Sequence, residues 1–182
     1  MLKWEIRRPK SEDLNQLNEF FKTVITDTFI KEGIGEKLND IKDELEIKEK
    51  YIESDLRTQG KERFFLIALC GNKIIGSIEY GPVSEVIKKC TNNAYVELIE
   101  VGTVFVHPDY QRIGVGNILL KEMYEVLSKN GVREFCLDSG YSRAQKIWKK
   151  KFGDPNYLLK DYWGVGNDHM IWRIKVSDCL TE

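Results

Sequence analysis

Residues 104–120, VFVHPDYQRIGVGNILL, constrain this chain more than any other segment. They read as an apolar strand, a Pro-bearing turn, a loop with two glycines and the start of an amphipathic helix. That order aims backbone N–H groups at one point. The first amides of a helix have no intrahelical acceptor, and the helix dipole makes that end partly positive. Gly114 and Gly116 carry no Cβ, so a bulky anion can approach the main chain. The segment therefore reads as a cradle for a pyrophosphate. The helix behind it is well marked: Val115, Ile118, Leu119, Met123, Val126 and Leu127 recur at three- and four-residue steps, and Asn130-Gly131 supplies a stop. Upstream, residues 95–106 read as a buried strand, with Gly102 signalling a bulge.

Three kinds of phosphate loop compete for this pattern. A P-loop needs Lys-Ser/Thr after its second Gly, and here Gly116 is followed by Asn117-Ile118. A dinucleotide fingerprint needs a third Gly or Ala where Leu119 stands. What remains is Gln/Arg-x-x-Gly-x-Gly/Ala, present as Gln111-Arg112-Ile113-Gly114-Val115-Gly116. With Val106-x-Pro108 before it and Leu119-Leu120 after it, the run resembles the acyl-CoA loop of the GNAT N-acetyltransferase superfamily.

The resemblance implies transfer of an acetyl group from acetyl-CoA to the amine of a small molecule or peptide. Main-chain groups of Val104, Phe105 and Val106 would pair with the pantetheine amides, and the amides of Gln111, Arg112, Ile113, Gly114, Val115, Gly116 and Asn117 would hold the pyrophosphate. An alkyl ammonium must lose a proton before attack. Glu100, six residues before Val106, corresponds to the glutamate that serves as base, often through water, in the histone-acetylating branch. Glu97 faces the other way if the strand is regular. Many family members carry Ala-x-x-x-Tyr followed by Gly-Phe in the next helix. Here Ala144 is followed by Trp148 and Phe152-Gly153, so the phenol is an indole and the last pair is reversed. Trp148 then becomes a packing wall against the coenzyme or the core. The proton for the leaving thiolate falls to Tyr141, Tyr157, Tyr162 or water, and a thiol pKa near 8.5 makes the loss tolerable. Arg143, Lys146, Lys149, Lys150 and Lys151 make this helix basic: they form a solvated face, favourable at a helix C-terminus, or one or two of them meet the 3′-phosphate of CoA. The acceptor rim is expected among Phe29, Glu32, Glu36, Tyr51, Tyr80, Tyr162, Trp163 and Trp172. A non-catalytic acyl-CoA-binding regulatory domain is the alternative.

The rest of the chain sets bounds. Its 182 residues suit a single domain, 1–182, with no linker or repeat. A net charge of −1 opposes general nucleic-acid or membrane-surface binding. No apolar run spans a bilayer, and the start MLKWEIRR lacks the core of a signal peptide. The cysteines form no C-x-x-C pair, and two histidines are too few for a histidine-based metal site. These features predict a cytoplasmic protein, monomeric or homodimeric, without a metal. The pattern of elements predicts a mixed α/β fold: a central, mostly antiparallel twisted sheet of six to seven strands, flanked by about four helices. Ser11 is the expected cap of a first helix. A charged helix over 36–57 should offer a narrow apolar face of Leu38, Ile41, Leu45, Lys48 and Ile52, its acids solvated. Hairpin strands over 64–69 and 73–80 meet at Gly71-Asn72. A helical turn is expected within 84–89, a strand over 133–137, a helix over 142–152 and two last strands over 157–163 and 169–176.

Overall fold

The computed structural model describes residues 4–180. Met1, Leu2 and Lys3, part of the segment read for a leader, lie outside them, as do the last two residues of the expected domain. The chain folds as mixed α/β with seven strands in the order β1-β2-β3-β4-β5-β7-β6. Its residues form two compact units, one made of residues up to 80 with 103–123, the other of 81–102 and the residues from 124 onward.

In the first unit β1 (Trp4–Arg7), β2 (Phe64–Cys70) and β3 (Lys73–Pro82) run antiparallel. The β2–β3 turn is the Gly71-Asn72 hairpin, with Gly71 at φ +58° where an L side chain is strained. Helix α1 (Leu14–Lys31) buries Leu17, Phe20, Phe21, Val24 and Ile25, the stripe its spacing predicts. Ser11 does not cap it: residues 11–13 form a 3-10 turn whose cap is Lys10, and Asp13 accepts the Lys10 N–H at 2.7 Å. Helix α2 spans Leu38–Thr58. Ile41 and Ile52 are buried on it, whereas Leu38 is exposed and Asp55 is fully buried. Asp55 is inside because its carboxylate accepts the Phe65 N–H at 2.7 Å and an Arg8 guanidinium. Burial nonetheless pushes its carboxyl above the usual range.

In the second unit the short helix α3 (Glu85–Cys90) is capped by Ser84. Strand β4 is Ile99–Val106, shorter than the sequence suggests, because residues 91–97 form successive turns. Asn92 and Asn93 hold left-handed φ there, a conformation asparagine tolerates. The first half of β4 pairs in parallel with β5 (Glu134–Ser139), Ile99 opposite Phe135 and Glu100 opposite Cys136. Strand β7 (His169–Lys175) pairs antiparallel with β5 and with β6 (Tyr157–Leu159), which ends before Trp163 because Asp161 turns left-handed. Val83, Ile87, Tyr95, Cys136 and Ile171 form a core between α3 and these strands. Helix α4 (Val115–Lys129) follows the glycine loop, α5 is Ser142–Phe152, and a short α6 (Val176–Cys179) follows β7.

Candidate active site

The glycine loop behaves as its residues require. Pro108–Tyr110 is one 3-10 turn, begun by His107, whose Nδ1 accepts the Asp109 N–H at 3.3 Å. Burial and then Lys73 hold the His107 imidazole below its ordinary pKa, which favours this neutral, accepting form. The chain turns at Arg112 (φ +64°) and Gly114 (φ +98°) into α4. The Ile118 N–H closes the first helical bond on Gly114 O at 3.1 Å, so the amides of Val115, Gly116 and Asn117 lie ahead of the first intrahelical bond. A Cβ built on Gly114 meets nothing within 4 Å, and one on Gly116 meets only Val106 Cγ2 at 3.6 Å. The backbone there is bare and approachable, and a phosphate group fits it. The Val115 side chain is buried, while Arg112, Ile113 and Asn117 are exposed. Gln111 differs from expectation. Its N–H donates to Pro108 O at 3.4 Å, its side-chain amide donates to Val106 O at 3.2 Å, and its Oε1 accepts from Lys31 at 3.3 Å. It ties the loop to the end of β4 and to α1.

Val104, Phe105 and Val106 form the half-buried end of β4. The Phe105 ring stands edge-on to Phe21, centroids 6.2 Å apart, with the Lys48 ammonium 5.8 Å from its centre. The residue with unusual backbone in β4 is not Gly102, where a bulge was expected, but its neighbour: Thr103 takes φ +49°, an unusual conformation for a β-branched side chain. Its surroundings hold it there. Thr103 Oγ1 donates to Glu79 Oε1 at 3.1 Å, and Thr103 O accepts from Ser77 Oγ at 2.9 Å. The other Glu79 oxygen accepts from Arg63 at 2.6 Å, and the Arg63 guanidinium lies 3.5 Å from the centre of the Tyr51 ring. Arg63 and Glu79 are both buried. Sequence reasoning missed this network. The one signal for it was a lone Glu in the apolar run of β3.

In the second unit Glu100 Oε2 accepts the Ser84 N–H at 2.6 Å. Glu97 lies in the turns before β4 and not on the strand, so its facing relative to Glu100 has no meaning. Glu100 and Asp138 flank Cys136. Burial raises the Cys136 thiol far above its ordinary pKa, and the charges of Glu100 and then Asp138 add to the effect. Tyr141 caps α5 with backbone in the extended region. The Tyr162 phenol is raised by a hydrogen bond with Cys90 and then by burial. Trp148 is buried and stacked on Phe152, centroids 5.9 Å apart. Two rim candidates are core instead: Phe29 is buried, and so is Trp172, whose indole N–H donates to Gly153 O at 3.0 Å. Lys149, Lys150 and Lys151 are exposed. Among the described residues no group of three or more His, Cys, Asp or Glu side chains could hold a metal ion.

The model of the acetyltransferase (GNAT) family matches residues 29–154. Among solved structures, the chain is similar to a GNAT-family protein from Desulfovibrio desulfuricans (TM-score 0.72, 17% identity, 96% of this chain and 99% of that one covered). It is also similar to the PaiA N-acetyltransferase of Thermoplasma acidophilum in complex with coenzyme A (0.68, 21%, 95% and 99%). A third is the ribosomal-protein-S18-alanine N-acetyltransferase of Escherichia coli (0.62, 18%, 96% and 94%). At these identities the likeness is one of fold. No curated protein matches the chain.

Proposed function

Because the chain belongs to the acetyltransferase (GNAT) family, whose members transfer acetyl groups from acetyl-CoA, we propose that it acetylates a primary amine of a small molecule or peptide by direct attack, with Glu100 as the general base. One observation carries the coenzyme half of this reading: the amides of Val115, Gly116 and Asn117 precede the first intrahelical bond, beside a Gly114 with open space around it. These groups, with the amides of Arg112 and Ile113, would hold the pyrophosphate, Gln111 would brace the loop through the bonds it already makes, and main-chain groups of Val104, Phe105 and Val106 would hold the pantetheine arm. Trp148, stacked on Phe152, would stand as a wall beside it. Acetyl-CoA supplies the thioester carbonyl.

Glu100 takes the proton that the acceptor ammonium must lose, directly or through one water. The Ser84 N–H fixes one of its oxygens. The new N–C bond forms as the C–S bond breaks; the nitrogen gives up its second proton, which Tyr141, Tyr162 or water relays to the departing sulfur. The hydrogen bond with Cys90 and then burial raise the Tyr162 phenol, which makes it the weaker acid. None of the four cysteines forms a disulfide, which supports a reducing compartment, the cytoplasm. Among the described residues no helix is long and apolar enough to cross a membrane.

Thiol release across an amine panel tests the reading. Glu100→Gln lowers kcat by roughly 10²–10³, with acetyl-CoA affinity by calorimetry changed far less. Equal activity of the variant across pH moves the base elsewhere. Acetyl-CoA binding with no thiol release from any amine supports a regulatory domain, a reading that the indole at Trp148 favours.

A further inference from the structure

The last turn of the second unit holds a hydrogen-bonded chain that acetyl transfer does not explain. The Trp163 indole N–H donates to His169 Nδ1 at 3.0 Å, and His169 Nε2 lies 2.9 Å from Asp138 Oδ2. His169 is 3% exposed. An indole nitrogen can only donate, so Nδ1 is unprotonated and the ring proton sits on Nε2, pointing at the carboxylate. The imidazole is therefore neutral, and it orients Asp138 without cancelling its charge. The contact is built into the backbone: a Cβ on Gly140 would lie 2.7 Å from Trp163 Nε1, so only glycine lets the indole reach His169. Asp161 secures the turn by accepting the Gly166 N–H at 2.6 Å.

Asp138 lies two residues beyond Cys136 on β5, and Cys136 is the register partner of Glu100 on β4. Side chains two apart on a strand share a face, so Glu100 and Asp138 sit on one face, with Cα atoms ~8 Å apart from strand spacing and rise. Each is drawn away from the other. Glu100 bonds Ser84, just past the end of β3, and Asp138 bonds His169 on β7. The two carboxylates are thus held by different elements. The Asp138 side chain is 21% exposed, and the Trp163 ring, with Tyr162 edge-on at 4.8 Å, stands half-exposed at the turn. The imidazole separates the indole from the carboxylate, and a partly exposed carboxylate fixed by such a bond is a setting for an alkyl ammonium. Arg173, on the same face of β7, is tied to Glu134 and lies over Tyr95.

We propose that Asp138, held by His169 and Trp163, binds a second positive charge on the acceptor, so that the preferred substrate is an alkyl diamine or another amine with a cationic neighbour. This rests on the reading of Glu100 as base. Asp138 is the specificity residue; His169 and Trp163 are positioning residues.

Three acceptors of one length test it: a four-carbon α,ω-diamine, the corresponding amino alcohol and the corresponding amino acid. The wild type favours the diamine over the amino alcohol by about tenfold or more in kcat/KM, and disfavours the amino acid further. Asp138→Asn brings the diamine-to-alcohol ratio close to one. His169→Gln and Trp163→Phe lower it in the same direction, which a purely structural role does not do. A wild-type ratio near one, which needs no variant to fold, overturns the proposal and leaves acetyl transfer standing; so does a ratio that survives Asp138→Asn. Calorimetry of the diamine against the CoA-loaded protein reads recognition apart from turnover. Asp138-dependent binding without thiol release keeps the cation site at Asp138 and overturns the acetyl transfer on which the substrate assignment rests. Neither binding nor turnover removes both.

Discussion

At Gly114 the backbone adopts φ +98° with open space on the side where a Cβ would project. Replacement by Trp fills the volume proposed for the pyrophosphate. Gly114→Trp therefore abolishes acetyl-CoA binding while the protein stays folded, as read by calorimetry and circular dichroism. Gly114→Ala is the control: it carries the same backbone strain, of order 1–3 kcal/mol, without the bulk. Unchanged affinity in the Trp variant counts against the cradle. Residues of this kind were legible in the sequence, since glycine at a helix start has one local meaning. Thr103 was not. Among the described residues it is the one β-branched side chain at positive φ, and its neighbour Gly102 drew the bulge prediction. Hydrogen bonds from Ser77 and to Glu79, which come from another strand, decide which of the two residues turns.

Secondary elements carried information in proportion to how local their forces are. Helix α5 matched its predicted span, because its side-chain spacing and the Gly153 that ends it at φ +79° are local features. Helix α2 matched in extent but not in its faces. Asp55 belongs to a run of acids that reads as solvated, yet the Phe65 amide of β2 draws it inside. Strand β3 behaves similarly, taking the buried Glu79 because Arg63 precedes β2 and reaches it. Arg63→Ala leaves that carboxylate buried and unpaired. The expected loss is about 3–5 kcal/mol in urea denaturation. Replacing both partners by apolar residues of similar volume costs less, since the uncompensated charge is then gone. A loss below about 1 kcal/mol in the single variant would mean that Glu79 escapes to solvent or is neutralised.

For the chain as a whole, 28 basic residues stand against 29 acidic ones. The basic end of α5 is thus a local feature on a near-neutral protein, and nucleic-acid affinity depends on released counterions. No salt-dependent shift in anisotropy is expected with a labelled DNA or RNA duplex at low ionic strength. Tight binding that weakens steeply with salt would reassign α5. What the sequence determined alone was the glycine loop and the free amides that open α4, because strand, turn, glycines and helix start act within seventeen consecutive residues and their hydrogen-bond shortfall follows from chain geometry. What the tertiary structure decided was which side chains share a face. Glu100, Asp138, His169 and Trp163 come from three strands and a turn, and strand register and the bare backbone at Gly140 bring them together. Register depends on pairing between distant segments, and a one-residue slip of β4, β5 or β7 would turn that strand's side chain to the other face.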